Sequence, residues 1–313
     1  MTTSVELSIV TSLYQSAATI EEFVRRSVVA AEAVTASFEI VIVDDGTPDD
    51  SLAMAIRLAE GDGRIKVVEL SRNFGHHRAL MTGLEHASGA LCFLIDSDLE
   101  EPPELLGQFW CLRAEMGLDV VYGYQAKRGG KIGRRLMGEI AYWLFRLLIP
   151  YEIPRNHITV RLMTRPYVDA LLMHKERMTA IGGLWVITGF RQHGVPVVKG
   201  TRDISSYSFS RRWHHLIDSI TSFSEVPLIG IFYLGMLISF LAAIATISLL
   251  AMHILGISRL AGWVSVMLSI WLIGGLLIFC VGVIGIYISK IFIETKQRPY
   301  TIVRAIHQKD LKQ

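Results

Sequence analysis

The sequence predicts an α/β fold with a mostly parallel sheet, closed by a pair of membrane-spanning helices. Three observations carry that reading. Short apolar runs alternate with segments of helical period through roughly the first 124 residues. Acidic clusters stand directly after two of those runs. Two long uncharged stretches occupy the C-terminal third.

The elements follow in order. Residues 7–10 form a first strand, and the helical pattern of 19–36 covers it. A second strand at 38–43 runs straight into Asp44 and Asp45. Helix 51–60, strand 65–70, helix 77–87 and strand 90–95 come next, and this last strand leads into Asp96, Ser97, Asp98, Leu99 and Glu100. A helix at 103–116 and a strand at 119–124 complete the series. Strict alternation of this kind means parallel strands joined by helical crossovers. In such sheets ligands bind outside the carboxyl ends of the strands, where both acidic clusters fall.

The C-terminal stretches set a second physical limit. No formal charge occurs in 226–258 or in 260–289, and each run exceeds the roughly 20 apolar residues that cross a bilayer core. Arg259 lies in the short turn between them. Arg211 and Arg212 precede the first span, and Lys290, Lys296 and Arg298 follow the second. By the positive-inside rule both termini and the catalytic portion lie in the cytoplasm of an integral membrane protein. Gly274, Gly275, Gly282 and Gly285 recur along the second span and allow close helix approach, within the hairpin or between subunits of a homo-oligomer. The resulting organisation is a core at 1–132, acceptor-side and interfacial helices at 133–225, a hairpin at 226–290 (spans about 226–255 and 263–289) and a cytoplasmic tail at 291–313.

Composition excludes several classes. A net charge of +2 offers no overall basicity for nucleic acid. The three cysteines, Cys92, Cys111 and Cys280, are odd in number and fit neither a disulfide framework nor a zinc site. No Gly-x-Gly-x-x-Gly or P-loop pattern is present, so phosphates have to be met by a metal and by basic side chains. The intramembrane runs carry no carboxylate or lysine that would mark an ion path.

The chemistry concentrates at Asp96, Asp98 and Glu100. Alternate residues at a strand end can aim at one point, and their oxygens suit a hard cation, Mg²⁺ or Mn²⁺. Mg²⁺ is typically held by one or two carboxylates plus substrate phosphates. A second cluster, Lys127, Arg128, Lys131, Arg134 and Arg135, precedes an amphipathic stretch with Ile140, Trp143, Leu144, Leu147 and Leu148 at helical spacing. It reads as a membrane-surface element whose Arg128, Lys131 and Arg134 either capture a lipid phosphate or adhere to anionic headgroups. The pairs His76–His77 and His214–His215 lack nearby carboxylates in sequence and have no zinc spacing. Trp185 is either a packing residue or a sugar platform.

Val43 to Thr47, Ser71 to His76 and Asp96 to Glu104 together resemble the glycosyltransferase family 2 signature. More narrowly, they look like polyisoprenyl-phosphate glycosyltransferases related to dolichyl-phosphate mannose synthase. The segments 220–224 and 290–299 are similar to bacterial members with two C-terminal membrane helices. The resemblance implies a GT-A type nucleotide-sugar-binding domain. It further implies inverting transfer of a sugar from a nucleotide-diphosphate sugar to a membrane polyprenyl phosphate, undecaprenyl or dolichyl, at the cytoplasmic face. Residue by residue it implies Tyr14, Asp44, Asp45 and Asp96 against the nucleotide sugar, Asp96, Asp98 and Glu100 at the metal, and Asp96, Asp98 and Arg161 in catalysis. Two positions depart from the pattern. Ser16 stands where a glutamate is usual, and Thr159 replaces an aspartate near the reaction centre. A polysaccharide synthase is the weaker enzymatic alternative, since two spans are too few for a polymer channel. A decayed, non-catalytic membrane scaffold is the alternative of another class.

Overall fold

The computed structural model describes residues 5–125, 157–174, 181–198, 226–255 and 262–309. Eight strands and eight helices lie among them. The strands are β1 (Leu7–Leu13), β2 (Phe38–Asp44), β3 (Ile65–Leu70), β4 (Leu91–Leu94), β5 (Val120–Tyr124), β6 (His157–Thr164), β7 (Gln192–Pro196) and β8 (Val303–Gln308). The helices are α1 (Ile20–Glu32), α2 (Ser51–Gly61), α3 (His76–His86), α4 (Leu105–Met116), α5 (Arg165–Leu172), α6 (Ile181–Ile187), α7 (Val226–Ile254) and α8 (Trp263–Thr295).

All strands join one sheet in the order β7-β5-β6-β4-β1-β2-β3-β8. β4, β1, β2 and β3 are mutually parallel. β6 runs antiparallel between β4 and β5, and β8 antiparallel along the outer edge of β3. The sheet is therefore mostly parallel, as the alternation predicts. The chain builds outward from β1 through β2 to β3 and then returns to the other side of β1 as β4. A reversal of strand order there opens a crevice between the β1 and β4 carboxyl ends.

Every residue of β1 and β2 is buried, because helices cover both faces of a parallel sheet. Period-two alternation sorts their side chains. Leu7, Ile9, Ile40, Ile42 and Phe93 meet Phe23 of α1, Ala55 of α2 and Phe109 of α4. On the opposite face Val10, Val41, Val43 and Leu94 meet Leu80 and Leu84 of α3, Tyr167 of α5 and Trp185 of α6. Phe93 and Phe109 pack edge to face with centroids 6.2 Å apart. Burial of each such side chain stabilises the fold by about 1.5–3 kcal/mol.

The chain divides into two compact units. The α/β unit includes the sheet and takes in residues 298–309, so the segment following α8 returns to it as β8. The helical unit carries α7 and α8, which contact each other. Among the described residues one helical stretch, Ile273–Thr295, is long and apolar enough to cross a membrane; Leu228–Ile238 in α7 is a shorter apolar segment.

Candidate active site

Three loops meet at the crevice. The β1–α1 loop is stapled to the β2–α2 loop by backbone amides: Gln15 N–H donates to Thr47 Oγ1 at 2.8 Å and Ser16 N–H to Ser51 Oγ at 2.9 Å. Asp49 ties the pair together, accepting from the Thr47 and Ser51 hydroxyls and from the Ala17 amide. Burial alone would raise its carboxyl, yet these donors prevail and hold it down at about 2. Tyr14 projects outward, 46% exposed. The β4–α4 loop is bound to β1 by Ser97, whose hydroxyl donates to the Ser12 carbonyl at 2.9 Å and lies 3.2 Å from Ser16 Oγ.

The aspartates of the β2 tip are buried and accept amides of nearby loops. Asp44 accepts the Gly46 and Thr47 amides, both at 3.2 Å, and is 2% exposed. Burial pushes its carboxyl up to about 6 against those two bonds. Asp45, equally buried, accepts Phe74 N–H at 2.7 Å and Gly75 N–H at 3.0 Å, which pins the start of α3. Burial raises its carboxyl too. Gly46 has φ +65°, and a Cβ there would stand 2.5 Å from the Asn73 nitrogen, so the close approach of these loops needs glycine.

At the β4 tip Asp96 and Asp98 remain partly open. Asp98 Oδ1 accepts the Glu100 amide at 3.0 Å across Leu99, which adopts φ 61°. That left-handed leucine is costly for a non-glycine residue and holds the turn in one shape. Glu100 does not join the two aspartates in a cage: among the described residues no group of three or more His, Cys, Asp or Glu side chains converges to hold a metal. Asp96 Oδ1 instead faces His76 Nε2 at 3.3 Å, and His76 Nδ1 lies 2.8 Å from Ser12 Oγ. Reading the histidine pair as lacking carboxylates is therefore corrected for His76. The partner comes from a strand tip distant in sequence, and only the GHH stretch opening a helix hinted at it.

Arg161 stands on β6 opposite Leu94, next to the same tip. It is fully buried, with its guanidinium over the Trp185 ring at 3.0 Å and donating to the Thr159 and Ile158 carbonyls, both at 3.2 Å. Burial pulls its pKa down to about 9. Trp185 is 5% exposed and is a packing residue here. Thr159 is half-buried at the start of β6. Arg128, Lys131 and Arg134 lie outside the described residues. Ser12, Ser97 and His76 are the site residues that sequence reasoning missed.

Comparisons with known proteins agree with this architecture. The Glycosyl transferase family 2 profile matches residues 8–173. A Mycobacterium tuberculosis protein named as a glycosyltransferase is 48% identical over 305 residues, covering 97% of this chain and 89% of its own. An uncharacterised glycosyltransferase of Synechocystis is 33% identical, over 96% of this chain and 95% of its own. The undecaprenyl-phosphate 4-deoxy-4-formamido-L-arabinose transferase of Salmonella choleraesuis is 28% identical, over 96% and 93% respectively. With the profile spanning more than half its length and the sheet carrying acidic tips at the β1/β4 crevice, this chain belongs to glycosyl transferase family 2, a family of α/β, GT-A-like enzymes.

Proposed function

We propose that the chain is an inverting glycosyltransferase that moves a sugar from a nucleotide-diphosphate sugar to a polyprenyl phosphate of undecaprenol or dolichol type. The observation that carries this is the pair of partly open carboxylates, Asp96 and Asp98, at the β1/β4 crevice of a family 2 sheet. Full-length similarity to an undecaprenyl-phosphate sugar transferase supports the acceptor class.

The residues fit a divalent cation in one specific way. Two aspartate carboxylates suit Mg²⁺ or Mn²⁺ completed by substrate phosphates, and among the described residues no third His, Cys, Asp or Glu side chain converges with them. Such an ion, when bound, neutralises charge building on the leaving diphosphate. The chain's own share is positioning. The rigid Asp98–Glu100 turn aims the carboxylates, Ser97 ties that loop to β1, and Tyr14 stands exposed where a nucleotide base can stack. With their carboxylates occupied by backbone amides, Asp44 and Asp45 serve the nucleotide by shaping its loops. Glu100 contributes its backbone amide to Asp98, and Arg161 holds the β6 end that carries Thr159 beside the reaction centre.

Thr159 in the usual aspartate position is compatible with this chemistry. A sugar hydroxyl needs a base to remove its proton, whereas a lipid monophosphate, with a second pKa near 6, is already anionic at neutral pH. Orientation of the two substrates then supplies much of the acceleration. In this reading α7 and α8 form the transmembrane hairpin, the α/β unit and both termini are cytoplasmic, and Arg128, Lys131 and Arg134 receive the acceptor phosphate. The division at 132, 225 and 290 belongs to the same proposal, as does self-association through the glycines of α8.

The test is a donor panel. Purified full-length protein in detergent, given undecaprenyl phosphate, Mg²⁺ or Mn²⁺ and a set of nucleotide sugars, is expected to yield a lipid phosphate heavier by one sugar residue. No transfer from any donor by folded protein would replace this reading with that of a non-catalytic scaffold.

A further inference from the structure

We propose that His76 is a positioning residue of the donor site, holding the Asp96 carboxylate in place from an imidazole that Ser12 itself holds. Three elements converge to make this arrangement. Ser12 lies at the carboxyl end of β1, His76 is the first residue of α3, and Asp96 follows β4. The imidazole therefore reaches over the end of β1 toward the crevice between β1 and β4.

The ring is held between two groups. Its Nδ1 lies within hydrogen-bond distance of the Ser12 hydroxyl, 2.8 Å away. Its Nε2 stands 3.3 Å from Asp96 Oδ1, and the contact between them is electrostatic. Ser12 is 8% exposed, so its hydroxyl is a stable anchor inside the sheet. The backbone beneath the imidazole is equally constrained. Asp45 takes the Phe74 and Gly75 amides, and Gly75 adopts φ 102°, which turns the chain abruptly into α3. The aspartate of the β2 tip thus fixes the base of His76, and His76 in turn addresses the aspartate of the β4 tip.

The side chain of His76 is 44% exposed, so packing does not account for its place. Outer partners of metal-bound carboxylates typically change metal affinity 10–100-fold when removed, because they select one orientation of the ligand oxygen. His76 supplies that selection to Asp96. The inference rests on the proposed metal-assisted donor site, and its test separates the two.

Binding of Mn²⁺ alone to the full-length protein is measured by electron paramagnetic resonance for wild type, Asp96→Asn, His76→Ala, His76→Gln and Ser12→Ala. The Mn²⁺ concentration for half-maximal transfer is measured alongside, with thermal melting as the folding control. His76→Ala is expected to weaken Mn²⁺ binding about 10-fold or more with an unchanged melt. His76→Gln, whose amide N–H reaches the same oxygen, should restore most of the affinity, and Ser12→Ala should fall between. Wild-type affinity in His76→Ala, or failure of His76→Gln to recover it, while Asp96→Asn abolishes binding, would overturn the role of His76 and leave the donor site standing. Wild-type affinity in Asp96→Asn would overturn the donor-site reading itself.

Discussion

Replacing Glu39 with alanine should unfold the α/β unit more easily without touching chemistry. Glu39 is 7% exposed near the start of β2. Its Oε1 accepts the Ser8 hydroxyl at 2.7 Å, the Ser88 amide at 2.6 Å and the Ser88 hydroxyl at 2.7 Å, while Oε2 faces Lys66 Nζ at 3.3 Å. Each hydrogen bond to a buried charge contributes about 1.5–3 kcal/mol, but their sum overstates the loss, because the carboxylate's own desolvation is also removed. Leaving three donors and a half-buried ammonium behind costs about 3–5 kcal/mol, the usual result of breaking one side of a buried pair. For a unit of this size that corresponds to a melting point lower by roughly 6–20 °C. The assay is circular dichroism melting of the full-length protein, paired with transfer rates at low temperature. Five residues along β2 separate Glu39 from Asp44, about 17 Å at strand rise, so the transfer rate should stay near wild type below the transition. The pH response follows too. Burial opposes ionisation of Glu39, but the Ser88 and Ser8 donors and Lys66 prevail and lower its pKa below 4.5. Its contribution is therefore complete above the unfolded value and lost as pH falls through the folded one. A melt within 2 °C of wild type, or one whose difference from wild type vanishes at neutral pH and grows under acid, would refute this reasoning.

Asp98→Ala should lower transfer at least ~100-fold with an unchanged melt, since it removes electrostatic help at the leaving diphosphate; steady-state rates with saturating donor check this. Asp44 titrates in the opposite sense from Glu39. Its folded pKa, about 6, exceeds the ordinary 3.8, so its contribution is full below 3.8 and disappears as pH rises through 6. Denaturant titrations of Asp44→Asn should accordingly show a flatter stability profile between pH 4 and 6 than wild type, the difference being at most about 3 kcal/mol. Glu69 on β3 binds Arg304 and His307 of β8, both at 3.0 Å. Arg304 is largely solvent-exposed, so Glu69→Ala should cost only about 1 kcal/mol, seen as faster proteolysis of the C-terminal tail rather than as a large shift in melting.

The first half of the fold was legible because parallel strands buried on both faces announce themselves as apolar runs, and the nine elements read between residues 7 and 124 all occur. Beyond that point the signal fails for identifiable reasons. β6 carries the buried Arg161 in the middle of its run, satisfied by an aromatic face and backbone carbonyls that no local pattern reveals. α6 is a seven-residue helix containing two glycines. β8, at an edge with one face open, has no period-two sorting of polar from apolar side chains although its exposure alternates, and it follows a long apolar helix, so it reads as a polar tail. At the site, the carboxylates at the strand tips were visible from their spacing. The partners of those carboxylates were not, because Asp44 and Asp45 accept amides of folded loops, one of them about thirty residues away. The Ser12–His76 contact joins residues 64 apart and exists only once α3 crosses the end of β1.

The central claim is that the donor diphosphate and its cation sit at the β4 tip beside β1. Anomalous diffraction from crystals of the full-length protein grown with Mn²⁺ and its nucleotide-sugar donor tests it most directly. The account predicts a manganese peak in direct contact with carboxylate oxygens of Asp96 and Asp98, with the diphosphate spanning the β1/β4 crevice. A peak away from both aspartates, with the nucleotide at another edge of the sheet, would contradict it.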